Sequence, residues 1–144
     1  IKFEIYQTGD KSIWKMFAKH HYLSHSHNNA ANVFVATVND HVAGFISILP
    51  QPGKIKRQKR VHRLVILPDY QGAGIGLRLL NGVGDLYRGD KWLFRINTTA
   101  PSLIYALKKS DKWNCYHYGR NNCGGNSMGK PGLATRITAS FELK

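Results

Sequence analysis

The sequence has 144 residues, of which 42% are hydrophobic, a length and composition suited to one globular domain that buries its core without metal or disulfide staples. No apolar run approaches the roughly 18 residues that cross a bilayer, and the two cysteines are too few for a disulfide framework, so a single cytoplasmic domain spanning 1–144, with no membrane partner, is expected. Twenty-one Lys and Arg against eight Asp and Glu give a net charge of +13, which argues against an acidic cleft for cations and for an anionic partner.

Lys2 to Tyr6 alternates polar and apolar residues and predicts a first strand. Thr8-Gly9-Asp10 is a turn, with Asp10 placed to cap a helix. Ile13, Trp14, Phe17 and Ala18 form one apolar helical stripe, and a His- and Asn-rich loop follows over 20–29. Val33–Val38 and Val42–Leu49 are predicted strands, joined into a hairpin by Asn39-Asp40. The loop from Pro50 to Gln58 is basic, and the cationic run continues to Arg63. A strand is expected over Arg60–Leu67. A helix is expected over Gly76–Tyr87, with Leu77, Leu80, Val83 and Leu86 toward the sheet. Trp92–Ile96 reads as a strand, and Pro101 suits the first turn of a helix carrying Leu103, Ile104 and Leu107. Trp113–Tyr118 is a short strand, Asn121–Gly132 is rich in glycine, and Ala134–Leu143 alternates and closes the sheet. The order β-α-β-β-β-α-β-α-β-β predicts an α/β chain with a mixed sheet. Cys115 and Cys123 could pair or join His117 at a metal, but reduced thiols and no metal are expected, since a structural zinc normally takes four closely spaced ligands.

The segment Leu64-Val-Ile-Leu-Pro-Asp-Tyr-Gln-Gly-Ala-Gly-Ile-Gly76 reads as strand, turn and helix start. A helix N-terminus presents unpaired N–H groups and partial positive charge, and glycines let a large anion approach that backbone. The segment is therefore a candidate pyrophosphate cradle. It is not a P-loop, because no Lys-Ser or Lys-Thr follows the glycines. Nor is it a dinucleotide fingerprint, since the spacing is Gly-x-Gly-x-Gly and lies mid-chain.

The same segment resembles the acyl-CoA loop of the GNAT superfamily of N-acetyltransferases, whose signature is Gln/Arg-x-x-Gly-x-Gly/Ala after an apolar strand. Gln71, Gly74 and Gly76 fill the signature, and Ile66 to Tyr70 fill the lead-in. The resemblance implies a mixed, mostly antiparallel twisted sheet with splayed central strands and flanking helices. It implies acetyl-CoA or another acyl-CoA as co-substrate, in a monomer or homodimer. It also implies that the backbone of Leu64, Val65 and Ile66 and the loop Gln71, Gly72, Ala73, Gly74, Ile75 and Gly76 hold the cofactor, with Asn97 as a further contact.

Acyl transfer to an amine needs a base for the amine, donors for the oxyanion and an acid for the departing thiolate. Arg60 to Leu67 holds no carboxylate, so His62 is the candidate base there, with His20 and His21 as the other candidates. The resemblance implies a general-acid tyrosine after an Asn-x-x-Ala lead; Asn97-Thr-Thr-Ala100 supplies the lead and Tyr105 the phenol. A basic acceptor site suits an anionic amine: a nucleic acid, a modified base, aminoacyl-tRNA or a nucleotide conjugate. The element His21-Tyr22-Leu23-Ser24 is similar to the early loop of phage-type GNAT-like proteins that modify DNA bases. The opposing reading is a non-catalytic module of the same fold that binds nucleic acid through its basic surface.

Overall fold

A computed structural model describes residues 2–20, 28, 30–53, 57–120 and 137–144. The chain divides into two compact units, 1–94 and 95–144.

In the first unit, strand β1 (Phe3–Thr8) leads through a 3-10 turn at Lys11–Ile13 into the short helix α1 (Trp14–Phe17). Asp10 starts that turn: its Oδ1 accepts the Ser12 N–H at 3.0 Å, the expected cap. Strands β2 (Asn32–Val38), β3 (His41–Pro50) and β4 (Gln58–Ile66) follow, and then helix α2 (Ile75–Gly89). Each strand pairs antiparallel with the next, from β1 to β4. Asn39 and Asp40 turn the β2–β3 hairpin with φ of 51° and 68°. Positive φ at both central residues suits the twist of the flanking strands, and Asn and Asp tolerate it.

Alternation along the strands builds a core on each face of this sheet. Trp14 and Phe17 of α1 pack on Val33, Val35, Phe45 and Val65, with the Trp14 and Phe45 rings 5.1 Å apart. On the opposite face Tyr87 of α2 meets Phe34 edge-on at 6.1 Å and stacks on Phe94 at 5.8 Å. The buried stripe of α2 is Ile75, Leu79, Leu80, Val83 and Tyr87. This corrects the expected stripe: Leu86 is 53% exposed and Leu77 half-buried. At 3.6 residues per turn a series spaced by threes slips about 60° per step, so 77-80-83-86 cannot stay on one face, whereas 75-79-83-87 nearly does.

The second unit holds most of β5 (Leu93–Thr98), helix α3 (Pro101–Lys109), β6 (Trp113–Arg120) and β7 (Ile137–Leu143). Strand β7 pairs antiparallel with β5 and with β6. Pro101 opens α3, where its missing N–H costs nothing, and Ala100 before it is extended. Ile104 and Leu107 of α3 are buried, as are Trp113, Ala139, Phe141 and Leu143. The glycine-rich stretch 121–132 and the expected strand start at 134–136 lie outside the described residues. Across both units the order of strands and helices is the one the sequence predicts.

Candidate active site

Strand β4 delivers the chain to the glycine turn. Val65 is buried, and Leu64 and Ile66 are half-buried. The Leu67 N–H donates to the Ala43 carbonyl at 2.8 Å, and Pro68–Tyr70 form a 3-10 turn. Gln71 then folds back, its Nε2 donating to the Ile66 carbonyl at 2.9 Å. The side chain at the signature Gln position thus fastens the turn to the end of β4. Gly72 and Gly74 have φ of 84° and 78°, the left-handed region that glycine alone enters without cost.

Gly74 is the N-cap of α2. No side chain caps this end of the helix, and its first turn holds no acidic residue. Its N–H groups and dipole therefore remain available to an anion. A Cβ at Gly72 or Gly74 would meet nothing within 4 Å, so open space fronts the turn. At Gly76 a Cβ would lie 3.4 Å from Ile66 Cγ1, an ordinary van der Waals contact, so the first turn of α2 already lies against β4. Ala73 is exposed in the turn and Ile75 is buried beneath the helix start. These features fit a pyrophosphate: uncapped donors, a matching dipole and room for the anion.

Farther back along β4 the pairing with β3 slips. Ser47 pairs with Arg63 and Ile48 with Val61, which leaves His62 as the extra residue of a β-bulge. Its Nε2 accepts the Asn28 N–H at 3.0 Å, so this nitrogen carries no proton. Arg63 Nη1 donates to the His62 carbonyl at 2.9 Å. Burial, and then the charge of nearby Arg60, push the Arg63 guanidinium below its ordinary pKa. His21 lies outside the described residues, and His20 ends a 3-10 turn at Ala18–His20.

Asn97 and Tyr105 belong to the second unit, whereas the glycine turn and His62 belong to the first. Asn97 is exposed on β5 opposite Ser140. Tyr105 is 62% exposed on α3, with Lys109 Nζ 4.3 Å from its ring centre. Its hydroxyl has no hydrogen-bond partner among the described residues. Cys115 is a free, exposed thiol on β6, and Cys123 lies outside the described residues. Among the described residues no group of three His, Cys, Asp or Glu is placed to hold a metal ion, and no helix is long and apolar enough to cross a membrane. Sequence reasoning did not locate the bulge at His62. It arises from the register with β3, and nothing local to β4 signals it.

A family model for an acetyltransferase (GNAT) domain matches residues 29–108, more than half of the 144. A comparison with curated protein sequences finds no match. Among solved structures, an IAA acetyltransferase from Bacillus cereus superposes with a TM-score of 0.74 at 15% identity, covering 99% of both chains. A Bacillus subtilis acetyltransferase in complex with CoA gives 0.71 at 12% identity, with 99% of both chains covered. The ribosomal-protein-S18-alanine N-acetyltransferase of Escherichia coli gives 0.68 at 14% identity, covering 99% of this chain and 93% of that one. At these identities the likeness is one of fold.

Proposed function

Because this chain belongs to the acetyltransferase (GNAT) family, we propose that it moves an acetyl group from acetyl-CoA to a primary amine on an anionic, phosphate-bearing acceptor, such as a nucleic acid, aminoacyl-tRNA or a nucleotide conjugate. The observation that carries the donor half is the uncapped start of α2 behind two left-handed glycines, with open space before it. Acetyl-CoA, when bound, supplies the acyl group already activated as a thioester. The N–H groups of the turn Gln71 to Gly76 hold its pyrophosphate. The backbone of β4 at Leu64, Val65 and Ile66 takes the pantetheine arm as an added strand. Backbone N–H groups of this strand bond the thioester oxygen as it becomes the oxyanion.

His62 takes the proton of the attacking amine at Nε2, the nitrogen that already acts as an acceptor; the amine replaces the Asn28 N–H there. Tyr105 gives its phenolic proton to the departing thiolate, and its exposed hydroxyl is not committed to another described group. The net charge of +13 supports the anionic acceptor.

Two measurements test this. Calorimetric titration with acetyl-CoA should give saturable binding. Thiol release from acetyl-CoA should then depend on an added amine, screened over RNA, DNA, aminoacyl nucleotides and neutral amines. Binding of nucleic acid without any binding of acetyl-CoA would replace the enzyme with a non-catalytic module.

A further inference from the structure

Two segments far apart in sequence meet at the C-terminal end of α2. The helix ends at Gly89, and Asp90, Lys91 and Trp92 turn the chain into β5. In that turn the Lys91 N–H donates to the Arg88 carbonyl at 2.9 Å and the Trp92 N–H to the Tyr87 carbonyl at 3.0 Å. Arg57, at the entry to β4, is tied to the turn twice. Its carbonyl accepts the Leu93 N–H at 2.8 Å, and its Nη2 donates to the Asp90 carbonyl. Arg88 Nη1 donates to the Trp92 carbonyl at 3.2 Å. The Arg57 guanidinium lies 4.4 Å, and the Lys59 ammonium 4.3 Å, from the centre of the Trp92 ring. Arg57, Lys59, Arg88 and Lys91 are thus brought to one place around Trp92, all within the first unit.

The contacts that hold these cations do not neutralise them. A ring contact occupies the face of a guanidinium and leaves its in-plane N–H groups as donors. Among the described residues none of the four meets a carboxylate at ion-pair distance, whereas Lys2 and Arg95 each do. Asp90, the one acidic residue of the turn, gives Arg57 its backbone carbonyl and not its carboxylate. Arg57 and Lys91 are exposed, and both hold left-handed backbone, with φ of 60° and 65°. Glycine enters that conformation without cost, yet long cations stand at both positions. Like charges held at one ring repel each other unless an anion joins them.

We propose that the ledge of Arg57, Lys59, Arg88 and Lys91 around Trp92 docks the phosphate backbone of a single nucleic-acid strand. The proposal rests on the acetyltransferase reading above and names the macromolecule that carries its acceptor amine. A nucleic-acid strand offers regularly spaced phosphates, and each presents the paired oxygens that an arginine fork matches. Cations beside an aromatic ring are also the usual means of holding a single strand. Reading a duplex takes a helix or ribbon set into a groove, whereas this ledge is a strand start and a turn. Trp92 lies against two cations, so the ledge presents charge, and not an apolar anchor, to a bilayer. The length of α2, about 20 Å at 1.5 Å per residue, separates the ledge from the glycine turn, so its anion is not the pyrophosphate of CoA.

The test uses the full chain saturated with CoA, so that the glycine turn is filled, and follows labelled oligo(dT) and oligo(rU) by fluorescence anisotropy over a range of salt. Both strands should bind saturably, with log K falling linearly in log salt by about 0.7 per phosphate contacted. The double change Arg57→Gln/Lys59→Gln should weaken binding at least tenfold and flatten that slope by about 1.4, the share of two contacts. Adding Lys91→Gln should weaken it further. Lys15→Gln/Lys19→Gln, two exposed cations on and beside α1, removes the same charge and should leave affinity within threefold. Unchanged CoA affinity in each variant shows that the fold and the donor site persist. An equal loss in the Lys15/Lys19 variant overturns the ledge, because net charge alone then explains binding. Strand affinity that survives the Arg57/Lys59 change overturns it too. So does duplex DNA, polyglutamate or a phosphatidylserine vesicle binding as tightly as the single strands. Failure of CoA to bind the wild-type chain is a different result: it removes the acetyltransferase reading, and strand binding without CoA still decides the ledge.

Discussion

Gly74 holds a φ of 78° at the start of α2, yet a Cβ there would touch nothing. Its requirement is therefore conformational, with a further steric one once an anion occupies the space in front. Left-handed backbone costs an ordinary residue about 1–2 kcal/mol, and a β-branched one is a genuine outlier there. Gly74→Val should lower acetyl-CoA affinity at least tenfold by calorimetry while the circular dichroism of the fold persists; a folded variant with wild-type affinity refutes the cradle. For Tyr105→Phe, turnover should fall about 10²-fold with acetyl-CoA affinity almost unchanged, because a general acid acts in the transition state. Wild-type turnover in that variant reassigns the acid. His62→Gln should remove the acidic limb of the kcat/KM profile, in the range where an imidazole titrates. A retained limb means another group is the base. The glycine pattern was legible because few backbones need Gln-x-x-Gly-x-Gly at a strand-to-helix turn. The engagement of the His62 Nε2 by Asn28 was not, since 34 residues separate the partners.

At the scale of elements, local chemistry predicted well wherever the determinant was local. Asp10 caps the turn before α1, and Ser12, through its hydroxyl and its N–H, holds the carboxyl below its ordinary pKa of 3.8. A depressed carboxylate stabilises the folded state fully above that ordinary value and loses the effect as the pH falls through its lower folded value. Asp10→Ala should therefore lower the Tm at neutral pH, and the gap to wild type should close in strong acid. A gap that is independent of pH refutes the charged cap. Helix α2 was found from its apolar content, but its buried face was misassigned, because several leucines allow more than one stripe and only the packing on the sheet selects Ile75, Leu79 and Val83. Gly82 records the same selection: a Cβ there would lie 2.5 Å from Ile5 Cδ1, so its absence lets α2 close on β1.

For the whole molecule, charge is the dominant feature. With 21 cationic side chains against eight anionic ones, the folded chain repels itself. Few ion pairs offset this among the described residues: Lys2 meets Glu4 and Asp40, and Arg95 meets Glu142 at 3.7 Å. Several cations lie over aromatic rings instead, Arg57 and Lys59 on Trp92 at 4.4 and 4.3 Å. Raising the ionic strength from about 0.01 M to about 0.15 M shortens the Debye length from about 30 Å to about 8 Å, and the Tm should rise with it. A Tm that is flat or falling with salt would show that paired charges outweigh the repulsion.

The sequence by itself determined the order of elements, the glycine turn, the family resemblance and the cationic character. Each is carried by neighbouring residues: hydrophobic periodicity, Asn-Asp and glycine turn chemistry, a helix start. Tertiary structure alone decided the register of β4 on β3 and the bulge at His62. A strand's register is set by what lies across from it, and a one-residue slip reverses every side chain beyond it. No pattern within β4 contains that information, because the residues that fix it sit on another strand.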